Sequence, residues 1–249
     1  MIEIEKLSVD YKNGCKTQKA LENFNLTIET GDICALIGPS GCGKSTLLHV
    51  MANLMAHSQG EVRIDGKTID PNHHSIGFIQ QHYGLLNWAT VYNNIILGLR
   101  IKKENINQEH DNIEMIITAL GLDKLRHKYP QQLSGGEQQR VCIAQAFLLK
   151  PDILLMDEPF SALDAISREK TQDLFLEIWQ KHRVSAIFVT HSIEEALMVG
   201  NKIAIMTPSP GQISEIWENT NFGKKDLRLK KEYYRDTIAL RERVGLLWQ

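Results

Sequence analysis

Two short stretches carry residue types suited to handling a phosphorylated ligand. Gly38-Pro39-Ser40-Gly41-Cys42-Gly43-Lys44-Ser45 fits the pattern G-x-x-x-x-G-K-[ST]. Glycines let backbone N–H groups crowd around phosphate oxygens, and a helix starting there would aim its positive end at them. Lys44 would meet the β- and γ-phosphates as a point charge, and the Ser45 hydroxyl would ligate Mg²⁺. Thr46 extends the nucleotide-facing stretch. Cys42, inside the loop, would react with thiol reagents in the absence of nucleotide; no catalytic role follows from its place. The second stretch is Ile153-Leu154-Leu155-Met156, an apolar run that ends in Asp157-Glu158-Pro159. In an open parallel sheet, ligands sit at the C-terminal ends of strands. Asp157 is then placed to hold Mg²⁺, directly or through water, and Glu158 to polarise the water that attacks the γ-phosphate.

A third stretch has the same character without completing the first site. Leu133-Ser134-Gly135-Gly136-Glu137-Gln138-Gln139-Arg140 opens a helical pattern with Val141, Ala144 and Leu148 on one face. Ser-Gly-Gly at a helix start is a second anion cradle, because unpaired N–H groups and the helix dipole converge there. In an enzyme with one self-contained nucleotide site it would be redundant.

Positioning these groups requires strands and helices in alternation. Ile33–Ile37 is a continuous apolar run, as in a strand buried on both faces, and Ser45–Met55 after it reads as a helix. Earlier and later segments (Ile2, Ile4, Leu7, Val9; Phe24, Leu26, Ile28; Val62, Ile64) roughly alternate with polar residues, as strands do, and Asp65-Gly66 supplies a turn. From Asn87 to Lys150 the pattern is mostly helical, with Ile113, Ile116, Ile117 and Leu120 on one face and Gly121 at a capping position. Strand–helix alternation then returns: Ile153–Met156, Ala165–Lys181, Val184–Thr190, Glu194–Val199, Lys202–Met206. Such alternation predicts an α/β core with a parallel sheet. The tail from Gly223 is rich in Lys and Arg. Its Leu240, Val244 and Leu247 fall on one helical face, which suits either a membrane-surface role or packing on its own domain, the second favoured.

Composition narrows the class. Of 249 residues, 28 are Lys or Arg and 30 Asp or Glu, a net charge of −2 with 43% hydrophobic residues, so neither a disordered tail nor a disulfide miniprotein is expected. No apolar run is long enough to span a bilayer, and the opening residues lack a secretory pattern. The near-neutral charge offers no attraction to nucleic acid. Cys15, Cys34, Cys42 and Cys142 form no C-x-x-C pair and read as reduced cysteines. The adjacent His73-His74 would face opposite sides of a strand and reads as exposed loop.

Taken together, the phosphate loop, the acidic strand end and Leu133–Gly136 resemble the ATP-binding-cassette (ABC) ATPase family, with every motif in order up to about Ile213. The resemblance implies a P-loop NTPase fold: a RecA-like α/β core, an N-terminal antiparallel β subdomain and an inserted α-helical signature subdomain. Residues 1–220 would form the ATPase domain, with the helical part at about 87–150, and 221–249 a C-terminal tail. It implies ATP and Mg²⁺ as ligands. It also places Tyr11 on adenine, Gln81 as a Mg²⁺ and γ-phosphate sensor (Gln80 leaves the register open by one), Ser161-Ala162-Leu163-Asp164 as the D-loop and His191 as the switch histidine. Ser192 and Glu195 read as a capping box behind His191. In this family two cassettes dimerise head to tail, with ATP between one phosphate loop and the other copy's Ser134–Gly136. Leu85-Leu86-Asn87-Trp88 resembles a segment of importer ATPases for nitrate, sulfonate, taurine and thiamine-precursor-like solutes, and Leu240-Arg241-Glu242-Arg243 resembles the end of that branch. Asn87 in place of Pro, and Glu137 where Met is frequent, depart from it; Trp88 reads either as part of a docking groove or as core filler. An importer of this kind implies permease subunits, an extracytoplasmic solute-binding protein and a peripheral place on the cytoplasmic face of the membrane. A soluble Fe–S assembly ATPase is the alternative, and an exporter cassette is disfavoured by Leu85–Trp88.

Overall fold

The computed structural model describes residues 1–13 and 16–248; Cys15 lies outside them. In chain order the elements are β1 (Ile2–Asn13), β2 (Lys16–Ile28), β3 (Ile33–Ile37), α1 (Lys44–Met51), β4 (Gln59–Ile64), β5 (Lys67–Thr68), β6 (Ile76–Ile79), α2 (Val91–Ile95) and α3 (Leu97–Ile101). They continue with α4 (His110–Ala119), α5 (Gly135–Leu148), β7 (Ile153–Asp157), α6 (Ala165–His182), β8 (Ser185–Thr190), α7 (Ile193–Val199), β9 (Lys202–Met206), β10 (Ile213–Glu218) and α8 (Lys231–Leu247). Two compact units result: 1–74 with 155–158 and 185–249, and 75–154 with 159–184.

The first unit holds two sheets. One is β2-β1-β4-β5, antiparallel throughout. Ile2, Ile4, Leu7 and Val9 of β1 are all buried, although strict alternation fails between Ile4 and Leu7. The pairing register shifts there, and Lys6 adopts φ 49°; a bulge inserts the extra residue and keeps both flanking side chains on the core face. The other sheet runs β10-β9-β3-β8-β7 in this unit. β3 is parallel to both β8 and β9, and β10 is antiparallel to β9. Every residue of β3 and β8 is buried, as two-faced burial in a parallel sheet requires.

Helix α1 stops at Met51, short of the expected Met55. Asn53 adopts φ 57°, its N–H donates to Val50 O (2.9 Å) and the Leu54 N–H to His49 O (2.8 Å), a left-handed cap that ends the helix. Helix α8 settles the reading of the tail. Leu240 and Val244 are buried, Arg241 pairs with Glu194 and Arg243 with Glu215, and Trp248 Nε1 donates to Met206 O at 2.9 Å. The apolar stripe packs on its own unit.

The second unit is mainly helical. Ile113, Ile116 and Ile117 of α4 are buried together with Leu120, its C-terminal cap, and Gly121 follows at φ 62°. Phe147 of α5 and Phe160 both meet Phe175 of α6, at centroid distances of 5.8 and 6.2 Å. Among the described residues no helix is long and apolar enough to cross a membrane.

Candidate nucleotide site

The parallel register brings three strand ends to one edge of the first unit's sheet. Ile37, the last residue of β3, lies opposite Thr190 of β8 and Ile205 of β9. The chain therefore leaves β3 at Gly38 beside the point where it leaves β8 at His191. The loop that follows needs its glycines. Gly43 has φ 99°, and a Cβ there would sit 2.7 Å from both the Ala20 carbonyl oxygen and Leu21 Cδ2, so any side chain would collide with β2. Lys44 is buried, and its ammonium donates to the carbonyls of Gly38 (2.7 Å) and Pro39 (3.0 Å). A cavity of about 420 Å³ opens here, lined by Tyr11, Ser40, Gly41, Ser45 and Glu158 among others. Tyr11 reaches it from β1, its hydroxyl 3.0 Å from Thr46 Oγ1.

Asp157 ends β7 in this unit and Glu158 follows it. The Ser45 hydroxyl donates to Asp157 Oδ1 at 3.2 Å. Burial pushes the Asp157 carboxyl above the usual carboxylate range, Ser45 opposing and the Glu158 charge adding to the rise. Glu158 has φ 46°, a conformation that costs a non-glycine residue free energy and is concentrated at functional sites. Its N–H donates to Val189 O at 3.0 Å, and its Oε1 lies 3.2 Å from His191 Nδ1. A hydroxyl beside a carboxylate is the oxygen-only donor set that suits Mg²⁺, which retains waters and takes its remaining ligands from phosphates.

Behind His191 the expected capping box is half formed. The Glu195 N–H donates to Ser192 Oγ at 3.1 Å. The Glu195 carboxylate does not return to the Ser192 N–H, however. It accepts the Thr190 hydroxyl at 2.6 Å, and Thr190 Oγ1 accepts the Ser192 N–H at 3.0 Å. Buried Glu195 thus grips both sides of His191 through the last residue of β8.

Cys42 corrects an expectation. Its side chain is wholly buried, with Sγ 4.0 Å from Met206 Sδ, and burial pushes its thiol up. Both effects suppress reaction with thiol reagents.

The second unit carries the other candidate groups. Gln81 is exposed just beyond β6. Ser134 caps α5 in a reciprocal box: the Glu137 N–H donates to Ser134 Oγ (3.3 Å) and the Ser134 N–H to Glu137 Oε2 (2.7 Å). The S-x-x-E spacing carried this signal, and Glu137 is a supporting residue that the sequence reading passed over. Gly135 and Gly136 follow as the first helical residues. Asp164 caps α6, and hydrogen bonds from Ser167 hold its carboxyl below the usual range. Trp88 is 78% exposed, which removes the core-filler reading. Asn94, wholly buried, holds the segment that presents it: Oδ1 accepts the Leu86 N–H at 2.8 Å, and Nδ2 donates to the carbonyls of Leu86, Ala89 and Thr90 at 3.0–3.2 Å. No motif pointed to Asn94.

A phosphate loop at the C-terminal edge of a parallel sheet, with a hydroxyl, two carboxylates and a histidine around it, defines a nucleoside-triphosphate-handling protein of the P-loop class. The family model described as "ABC transporter" matches residues 21–161. The aliphatic sulfonates import ATP-binding protein SsuB of Bacillus cereus is 41% identical over 218 residues, 88% of this chain and 86% of that protein. The taurine import ATP-binding protein TauB of Jannaschia sp. is 36% identical over 243 residues, 96% and 90% of the two chains. Among solved structures, the dimeric post-hydrolysis state of the ATP-binding cassette MJ0796 bound to ADP and Pi superposes with a TM-score of 0.77 at 30% identity, covering 88% of this chain and 99% of that one. The chain belongs to the ABC transporter family and is its ATP-hydrolysing cassette. The P-loop α/β fold with an antiparallel β subdomain is as the sequence implied.

Proposed function

We propose that this chain is the energy-coupling ATPase of an importer for a small organic solute of the sulfonate or taurine kind, or a thiamine-precursor-like compound. The observation that carries this reading is sequence identity of 36–41%, across most of the chain, to proteins named as sulfonate and taurine import subunits. Those names favour import over the Fe–S assembly alternative. Two copies would act as a homodimer against permease subunits at the cytoplasmic face of the membrane, served by an extracytoplasmic solute-binding protein.

Within each site, Tyr11 stacks on adenine and the 38–46 segment cradles the phosphates, with Lys44 turning from loop carbonyls to the β- and γ-phosphates. Ser45 and Asp157 would hold Mg²⁺, which would supply charge neutralisation between the phosphates. The Glu158 carboxylate accepts a proton from the attacking water, and its αL backbone, tied to Val189, fixes where that carboxylate points. His191, 3.2 Å from Glu158, holds the γ-phosphate and is steadied by Thr190 and Glu195. Ser134, Gly135 and Gly136 of the other copy close the site. ATP is thereby interface glue, and loss of Pi releases it. Trp88 and its Asn94-held segment form the permease-facing surface.

Mild-detergent extraction of the tagged chain from its own cells tests the reading. Co-purification of a membrane-spanning partner is expected, with ATP turnover stimulated by a sulfonate- or thiamine-precursor-loaded binding protein. A soluble scaffold as the sole partner would overturn it.

A further inference from the structure

Tyr83 stands two residues beyond Gln81 with φ 30°, a value uncommon for a bulky side chain. Helix α5 binds its backbone and lies beside its hydroxyl. The Cys142 thiol donates to its carbonyl at 3.0 Å. A Cβ built on Gly135 would lie 3.2 Å from the Tyr83 hydroxyl oxygen. That oxygen therefore lies beside the first residue of α5.

The donors at this end divide into two groups. The Ser134 and Glu137 N–H groups are consumed by the capping box, and the Gln138 N–H by Ser134 O. The N–H groups of Gly135 and Gly136 have no acceptor among the described residues, and neither does the Tyr83 hydroxyl. Burial pushes the Tyr83 phenol up, with Cys142 adding to the rise, so the group keeps its proton at neutral pH.

We propose that Tyr83 is an additional binding residue of the Ser134–Gly136 turn. Its hydroxyl donates, together with the Gly135 and Gly136 N–H groups, to a phosphate oxygen of the nucleotide presented by a second copy. The inference rests on the two-copy reading above.

The test is Tyr83→Phe, which removes only the oxygen, made in a Glu158→Gln background so that ATP is not consumed. Two quantities are read with Mg-ATP: ATP affinity of the dilute single chain, and the protein concentration at which ATP drives dimerisation, by light scattering. A hydrogen bond to a charged group is worth enough that its loss should raise the dimerisation midpoint about tenfold or more. Single-chain ATP affinity and the thermal midpoint should stay unchanged. Equal dimerisation with and without the hydroxyl would overturn the inference, as would an equal loss of single-chain affinity. A Glu158→Gln parent that never dimerises with ATP would overturn the two-copy reading itself, and this inference with it.

Discussion

Replacing Asn94 with Ala should loosen the segment that displays Trp88 while sparing the nucleotide site. The side chain is wholly buried and makes four hydrogen bonds to the backbone of residues 86–90. Each is worth about 1 kcal/mol net, and buried groups left without partners add to the loss, whereas groups that reach water recover part of it; a cost of roughly 2–4 kcal/mol follows. For a chain of this size the thermal midpoint should fall by roughly 4–16 °C. Asn94→Asp should cost more than Asn94→Ala, because it removes the donating amide and buries a charge beside three carbonyls. Differential scanning calorimetry reads the stability. ATP turnover of the isolated chain against turnover in the permease complex reads the consequence: basal turnover preserved, permease-stimulated turnover lost. A midpoint within about 2 °C of the parent together with normal stimulation would refute the reasoning.

Three further outcomes are expected. Burial raises the Asp157 pKa above its unfolded value, so the fold favours the neutral acid. Stability from this group is complete below the unfolded pKa and lost as pH rises through the folded one. Asp157→Asn should therefore raise the thermal midpoint at neutral pH, the gain vanishing below about pH 4, while Mg²⁺-dependent turnover is lost; a lowered midpoint at pH 7 would contradict this. Lys44→Ala should weaken ATP binding, as checked by titration with a fluorescent ATP analogue; unchanged affinity would remove Lys44 from the phosphate site. Thiol reagents should leave Cys42 unmodified in the native chain, with or without ATP, and modify it after unfolding. Rapid native labelling seen by peptide mass mapping would show that the loop opens.

What the sequence disclosed was set by locality. Gly38–Ser45 declares itself because its glycines, lysine and hydroxyl act within one turn, and Ile153–Glu158 because burial on both faces leaves an unbroken apolar run that only the ligand edge interrupts. Ile113, Ile116, Ile117 and Leu120 were legible for the same reason: helical period alone fixes their face. Features set by distant partners were not legible. β10 alternates between half-buried and exposed residues, too weak a pattern to announce an edge strand. The short β6 gave no periodicity to read. Asn94 resembles any helical asparagine until the 86–90 backbone folds over it. Ser-x-x-Glu spacing points Glu195 at the Ser192 N–H and says nothing of the Thr190 hydroxyl, which competes for the carboxylate and wins.

ATP-driven association of the Glu158→Gln chain tests the central claim most directly. Light scattering at a fixed protein concentration should show a single chain without nucleotide, and with ADP, and a two-chain species with Mg-ATP. Turnover should fall by at least about a hundredfold, as expected for loss of a general base. A chain that stays single at saturating ATP, or that still hydrolyses ATP at the parent rate, would contradict the account.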